Sequence, residues 1–162
     1  MRAERDETRT VILQALSGRG AHVLARDALD GLDWELAGVR SADGEHTIFA
    51  SFNHLVYWHD FAVAGLDGDK PATPEHAADS WPGDGAPTGA GEWADAERRF
   101  LAGLTALEAR AAELDLFASS EGKSALEILQ LVASHNSYHL GQIVLLRRAL
   151  GAWPPPGGGA TW

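Results

Sequence analysis

The chain has 162 residues, 45% of them apolar, with no cysteine and a formal net charge of −10. That length is enough for one domain with a core, and the lack of cysteine excludes disulfides, thiolate metal sites and a cysteine nucleophile of the protein's own. Asp and Glu outnumber Lys and Arg by 23 to 13, which argues against nucleic acid or an anionic membrane surface as a partner.

The N-terminal stretch MRAERDETRT is charged and has no hydrophobic segment, so it is not a secretory signal. No apolar run reaches the roughly 18 to 20 residues needed to cross a bilayer, and a cytoplasmic location is expected. RDETRTVILQALSGRG predicts a first amphipathic helix through Val11, Ile12, Leu13 and Leu16, ended by Gly18 and Gly20. Leu24 to Leu29 and Trp34 to Ala37 each read as a short helical turn, and the polar run around Gly44 reads as a loop. HTIFASFNHLVYWHDFAVAGLDG predicts a second long helix, capped by Thr47 or a neighbour and ended by Gly65 to Gly68. Ile48, Phe49, Phe52, Leu55, Val56, Phe61 and Val63 make it apolar nearly all round, so it should be central and buried.

Residues 67 to 90 are rich in Pro, Gly, Asp and Ala and form a long connection without periodicity. EWADAERRFLAGLTALEARAAELDLF predicts a third helix with Trp93, Phe100, Leu104, Leu107, Ala111 and Leu114 on one stripe. Ser124 and Glu127 fit a capping box that opens the fourth. There Ile128, Leu131, Val132, His135, His139, Ile143, Leu146 and Leu150 share one broad face, and Gly151 stops the helix before WPPPGGGATW. No strand pattern stands out. The expected fold is all-α, a four-helix bundle over residues 1–153 with a flexible tail at 154–162. The long connection between the second and third helices lets one helix cross the bundle.

His135 and His139 occupy the apolar face of the last helix, where Leu or Val would be ordinary. Residues four apart on a helix have Cβ atoms roughly 6 Å apart, so two imidazoles can converge on one ion. A pair of hydrogen-bonded core histidines is the plainer alternative, since an unpartnered buried imidazole costs on the order of 1–3 kcal/mol. A third ligand would decide between them. His54, with Trp58 one turn along the same face, is one candidate; His59 with Asp60, about 140° further round, is a rival donor set expected at the surface or rim. Tyr57, Trp58 and Tyr138 suit either a pocket lining or core packing. Arg147 and Arg148 read as solvated charges at the negative end of a helix. GAPTGAG lacks the lysine and preceding strand of a phosphate-binding loop, which excludes one.

SFNHLVYWHDF, followed by HNSYHLGQIVLLRRALGAWPP, resembles the DinB/YfiT-like family, with HLVYWHD and YHLGQI the most specific parts. The likeness covers almost the whole chain. It implies an up-down-down-up four-helix bundle that binds a divalent metal, nickel or zinc, through His54, His135 and His139. Three neutral ligands leave coordination positions open to substrate, as in catalytic sites. Asn53, Glu127, Gln142 and backbone carbonyls are candidate acceptors for the second N–H of each ring. The resemblance further implies a transferase that joins a low-molecular-weight thiol, bacillithiol or mycothiol, to a small electrophile. The alternatives are a hydrolase using metal-bound water, with Asp60, Glu127 or His59 as base, and a non-catalytic, stress-related metal-binding protein. The apolar second helix suits pairing into a homodimer, with a monomer as the alternative.

Overall fold

A computed structural model describes residues 2–40, 46–81, 83, 85–120 and 122–159. The loop expected around Gly44 lies outside the described residues. Helix α1 spans Arg2–Ser17, and two short helices follow, α2 at Ala25–Leu29 and α3 at Trp34–Ala37. The remaining long helices are α4 (Ile48–Leu66), α5 (Ala90–Glu113) and α6 (Ala125–Ala149). A two-residue hairpin, in which Ser119–Ser120 pairs with Lys123–Ser124, leads into α6.

Local chemistry sets these boundaries. Gly18 takes a φ of +78°, a left-handed conformation that stops α1. The Thr47 hydroxyl accepts from the Ala50 N–H at 3.0 Å and so caps α4. At the start of α6 the expected capping box is present: the Ser124 N–H donates to Glu127 at 2.7 Å, and the Glu127 N–H donates to the Ser124 hydroxyl at 3.3 Å.

α1 and α4 each pack against both α5 and α6. One apolar cluster joins Phe49, Phe52 and Leu55 of α4 to Trp93 and Phe100 of α5 and to Leu140 and Ile143 of α6. The short α2 and α3 close its end through Ala28, Leu29 and Ala37. The other cluster joins Ile12 and Leu16 to Leu107, Ala111, Leu129 and Val132. No helix among the described residues is long and apolar enough to cross a membrane.

Three expectations change. The all-round burial of α4 holds only in its first half, because Phe61 and Val63 are only half-buried. Leu131 is 60% exposed, whereas Leu129, Ala133 and Leu140 are buried. The inward stripe of α6 runs 129, 132, 133, 136, 139, 140, 143, and Leu131 stands about 80° beyond its nearest edge. Arg147 is not a solvated helix-end charge. It is 1% exposed and donates to the carbonyls of Ala28 at 2.6 Å, Asp30 at 2.9 Å and Ala152 at 3.0 Å. The carbonyls that end α2 take the place of water around the guanidinium. Beyond α6, Pro155 is buried and the Gly157 N–H donates to the Asp30 carboxylate at 3.2 Å.

The connection between α4 and α5 is also more than spacing. It carries a 3-10 turn at Ala77–Ser80 that packs on α4. The Thr47 hydroxyl donates to the Gly85 carbonyl and ties the connection to the start of α4.

Candidate metal centre

α4 brings His54 to the face of α6 that carries His135 and His139. One ring nitrogen from each lies within 4.8 Å of the others. His54 and His139 are each 5% exposed and His135 is half-buried. The Nε2 atoms of His54 and His135 are 3.1 Å apart. The ring centroids are 5.0 Å (His54 to His135), 4.7 Å (His54 to His139) and 4.4 Å (His135 to His139) apart.

The outer nitrogens decide which way the lone pairs point. His54 Nδ1 lies 2.8 Å from the Ser80 carbonyl, and His139 Nδ1 lies 2.7 Å from Gln142 Oε1. Both oxygens only accept, so each Nδ1 holds its ring's proton and each Nε2 keeps a free lone pair turned inward. Burial, then the neighbouring His139 and His54, push the His135 imidazole down to about 4. Burial and then His54 push His139 down to about 4 as well. Burial lowers His54, against the opposing pull of Ser80. The rings are therefore neutral near pH 7, the form that binds a cation.

A divalent cation fits this donor set. Metal–nitrogen bonds of about 2.0–2.1 Å at tetrahedral angles put neighbouring ligand nitrogens about 3.3 Å apart, close to the His54–His135 separation. Two of the three rings already have the acceptors on the second nitrogen that ligating histidines ordinarily need.

The walls are aromatic. Trp81 stacks on His54 with centroids 4.0 Å apart and planes 9° apart, and its other face stacks on His46 at 3.7 Å and 13°. Trp58 stands edge-on to His54 at 6.3 Å and to His135 at 6.2 Å. Tyr138 is 64% exposed, with its ring 5.0 Å from that of His139.

The other expected site residues lie apart from the triad or are engaged elsewhere. Asn53 and Tyr57 line a cleft of about 500 Å³ with Val56, Asp60, Phe61 and Arg99, and none of the three histidines borders it. Glu127 is exposed and holds the N-terminus of α6. His59 is no rim residue. It is fully buried, with Nε2 2.9 Å from Asn136 Oδ1 and its ring stacked on Phe100. Burial lowers its pKa, against weaker opposing effects of Asn136, Asp60 and the Phe100 carbonyl. The α4 turn that sends His54 toward the triad sends His59 into the seam between α5 and α6. Asp60 is exposed and pairs with Arg99 at 2.8 Å.

Sequence reasoning missed Ser80, Trp81 and His46. Their only signal was a tryptophan and a histidine flanking segments rich in Pro, Gly and Asp.

A sequence model of the DinB superfamily matches residues 19–143, a span that includes all three histidines. Comparison with curated proteins and with solved structures gives no match.

Proposed function

Because the chain belongs to the DinB superfamily, we propose that it is a divalent-metal-dependent enzyme, built as an up-down-down-up four-helix bundle, that holds nickel or zinc on His54, His135 and His139. Its reaction is transfer of a low-molecular-weight thiol, of the bacillithiol or mycothiol class, to a small electrophile. The observation that carries this reading is the convergence of three ring nitrogens within 4.8 Å, with no carboxylate among them.

A divalent cation bound there supplies Lewis acidity and lowers the pKa of a donor atom that it holds. The protein's own residues prepare the place. Ser80 and Gln142 fix the tautomers of His54 and His139. Three neutral ligands leave the cation's charge to be balanced by an anionic donor from the substrate. Trp58 and Trp81 cover the rings and limit access of water. In the transfer the sulfur–carbon bond forms as the leaving-group bond breaks, or as an epoxide carbon–oxygen bond opens. The thiol proton passes to solvent, a displaced leaving group departs with its bonding pair, and an opened epoxide oxygen takes up a proton from solvent.

One observation favours a thiol over water as nucleophile. Hydrolysis needs a general base within reach, and the three candidates are engaged elsewhere. Asp60 is paired with Arg99, Glu127 caps α6, and His59 is buried against Asn136. A substrate that brings a readily ionised nucleophile suits the site better.

The test has two steps. Elemental analysis of the purified protein is expected to find about one divalent cation per chain, lost in His54→Ala and in His139→Ala. Calorimetric titration of the loaded protein with bacillithiol and with mycothiol is then expected to show binding of one of them. Heat from neither, with the cation still in place, removes the thiol reading and leaves hydrolysis by metal-bound water or a non-catalytic metal-binding role.

A further inference from the structure

His54 stands on a different helix from His135 and His139, and the connection between α4 and α5 meets it at Ser80 and Trp81. We propose that Trp81 is the positioning residue for His54, and that the Ser80–Trp81 segment is a strap through which this connection sets the cation affinity of the triad. The inference rests on the reading of the three histidines as cation ligands.

Two restraints act on one imidazole. Trp81 lies flat on His54 with centroids 4.0 Å apart, which fixes the plane of the ring. A stack alone does not tell Nδ1 from Nε2, because rotating the ring by half a turn leaves the plane unchanged. The Ser80 carbonyl makes that distinction: it accepts from Nδ1 at 2.8 Å and so turns Nε2 toward the triad. Neither restraint is loosely held. Ser80 is 2% exposed, and its hydroxyl donates to the Ala77 carbonyl at 2.7 Å, which closes the 3-10 turn and aims the Ser80 carbonyl. His46 stacks on the far face of Trp81 at 3.7 Å, so the indole cannot tilt away without breaking a second contact. The hydrogen bond from Thr47 to Gly85 fastens the same connection to the start of α4. Aperiodic connections are ordinarily the mobile part of a fold, and this one is fastened at the point where it meets a ligand.

The test uses cobalt(II) as probe, with affinity read by competition against a chromophoric chelator. Trp81→Ala is expected to lose about 10-fold or more in affinity, the scale on which supports of ligating histidines act. Trp81→Phe keeps a flat ring in the slot and is expected to recover most of the loss. Phe117→Ala, which removes an exposed aromatic beside Arg5 and away from the triad, is expected to bind like the wild type. A second readout needs no metal. Long-range nitrogen–proton correlation spectra of the metal-free wild type should show His54 as a single tautomer protonated on Nδ1, and those of Trp81→Ala an averaged one, because without the indole the strap no longer holds the adjoining Ser80 carbonyl against Nδ1. Wild-type affinity together with a wild-type tautomer in Trp81→Ala overturns the proposal. Should that variant lose its helical circular dichroism, Trp81→Leu, which keeps apolar bulk without a flat face, decides by the same two criteria. A wild type that takes up no cobalt sinks the metal reading, while the tautomer comparison still tests the strap.

Discussion

At the residue scale, the site's dependence on pH follows from the triad itself. His135 and His139 titrate near 4 in the folded chain, against an ordinary value of 6.5. Above 6.5 both states carry neutral rings, and these groups add no slope to stability. Between about 6.5 and 4 the unfolded chain binds protons that the folded chain refuses, so stability falls with falling pH and levels off below about 4. Urea midpoints of the metal-free protein across this range should show the fall, and a His135→Ala/His139→Ala double variant should lose most of it. A wild-type midpoint that stays flat from 6.5 to 4.5 would contradict the assignment of these rings as buried and neutral. The same neutrality makes cation binding acid-labile, because a proton and a metal compete for the same Nε2 lone pairs. Gln142 acts at the next remove. Its oxygen holds the Nδ1 proton of His139, and Gln142→Ala is expected to weaken cation affinity about 10- to 100-fold with helix content unchanged.

At the element scale, helix ends were more legible than helix faces. Caps are written in adjacent residues, so Thr47 and the Ser124–Glu127 box could be read directly, and Ser124→Ala should cost about 1 kcal/mol in a thermal or urea melt. Faces depend on neighbours that local sequence does not name. In α6 the apolar positions allow two overlapping stripes, and contact with α1, α4 and α5 selects the one that leaves Leu131 outside. Leu131→Ala is therefore expected to change stability by less than about 0.5 kcal/mol. Arg147 shows the same limit from the other side. A terminal arginine is ordinarily solvated, and this one is buried because carbonyls more than a hundred residues earlier, at the end of α2, face it. Arg147→Met should cost about 3 kcal/mol, since it strips three carbonyls of a charged donor and leaves them in a closed space. A loss comparable to that of Leu131→Ala would mean that the guanidinium is dispensable. The three histidines could be picked out as a candidate set because two of them share one helix at a spacing of four and the third follows from the family resemblance. The Ser80–Trp81 strap was not, because an aperiodic segment has no period from which to infer its direction.

At the scale of the whole molecule, α4 and α6 must hold a fixed register for the rings of His54, His135 and His139 to meet. A buried polar pair one turn from the triad fixes it. His59 of α4 and Asn136 of α6 are 0% and 2% exposed and meet at 2.9 Å, with Asn136 directly after His135 in the chain. α5 comes close to the same point because Gly103 has no side chain; a Cβ there would lie 2.9 Å from Nδ1 of His59 and 3.0 Å from its Cβ. A buried hydrogen bond of this kind contributes modestly when made and costs about 1–3 kcal/mol when one partner is left alone. His59→Leu and Asn136→Leu should each destabilise by about that amount, because each leaves a polar atom without its partner in an apolar seam. The double variant removes both polar groups together and should fall short of the summed losses by at least about 1 kcal/mol. Urea unfolding of the four proteins, read as a double-mutant cycle, measures this coupling. Losses that simply add would mean that the two side chains act independently, and that packing of the apolar clusters alone sets how α4 lies against α6.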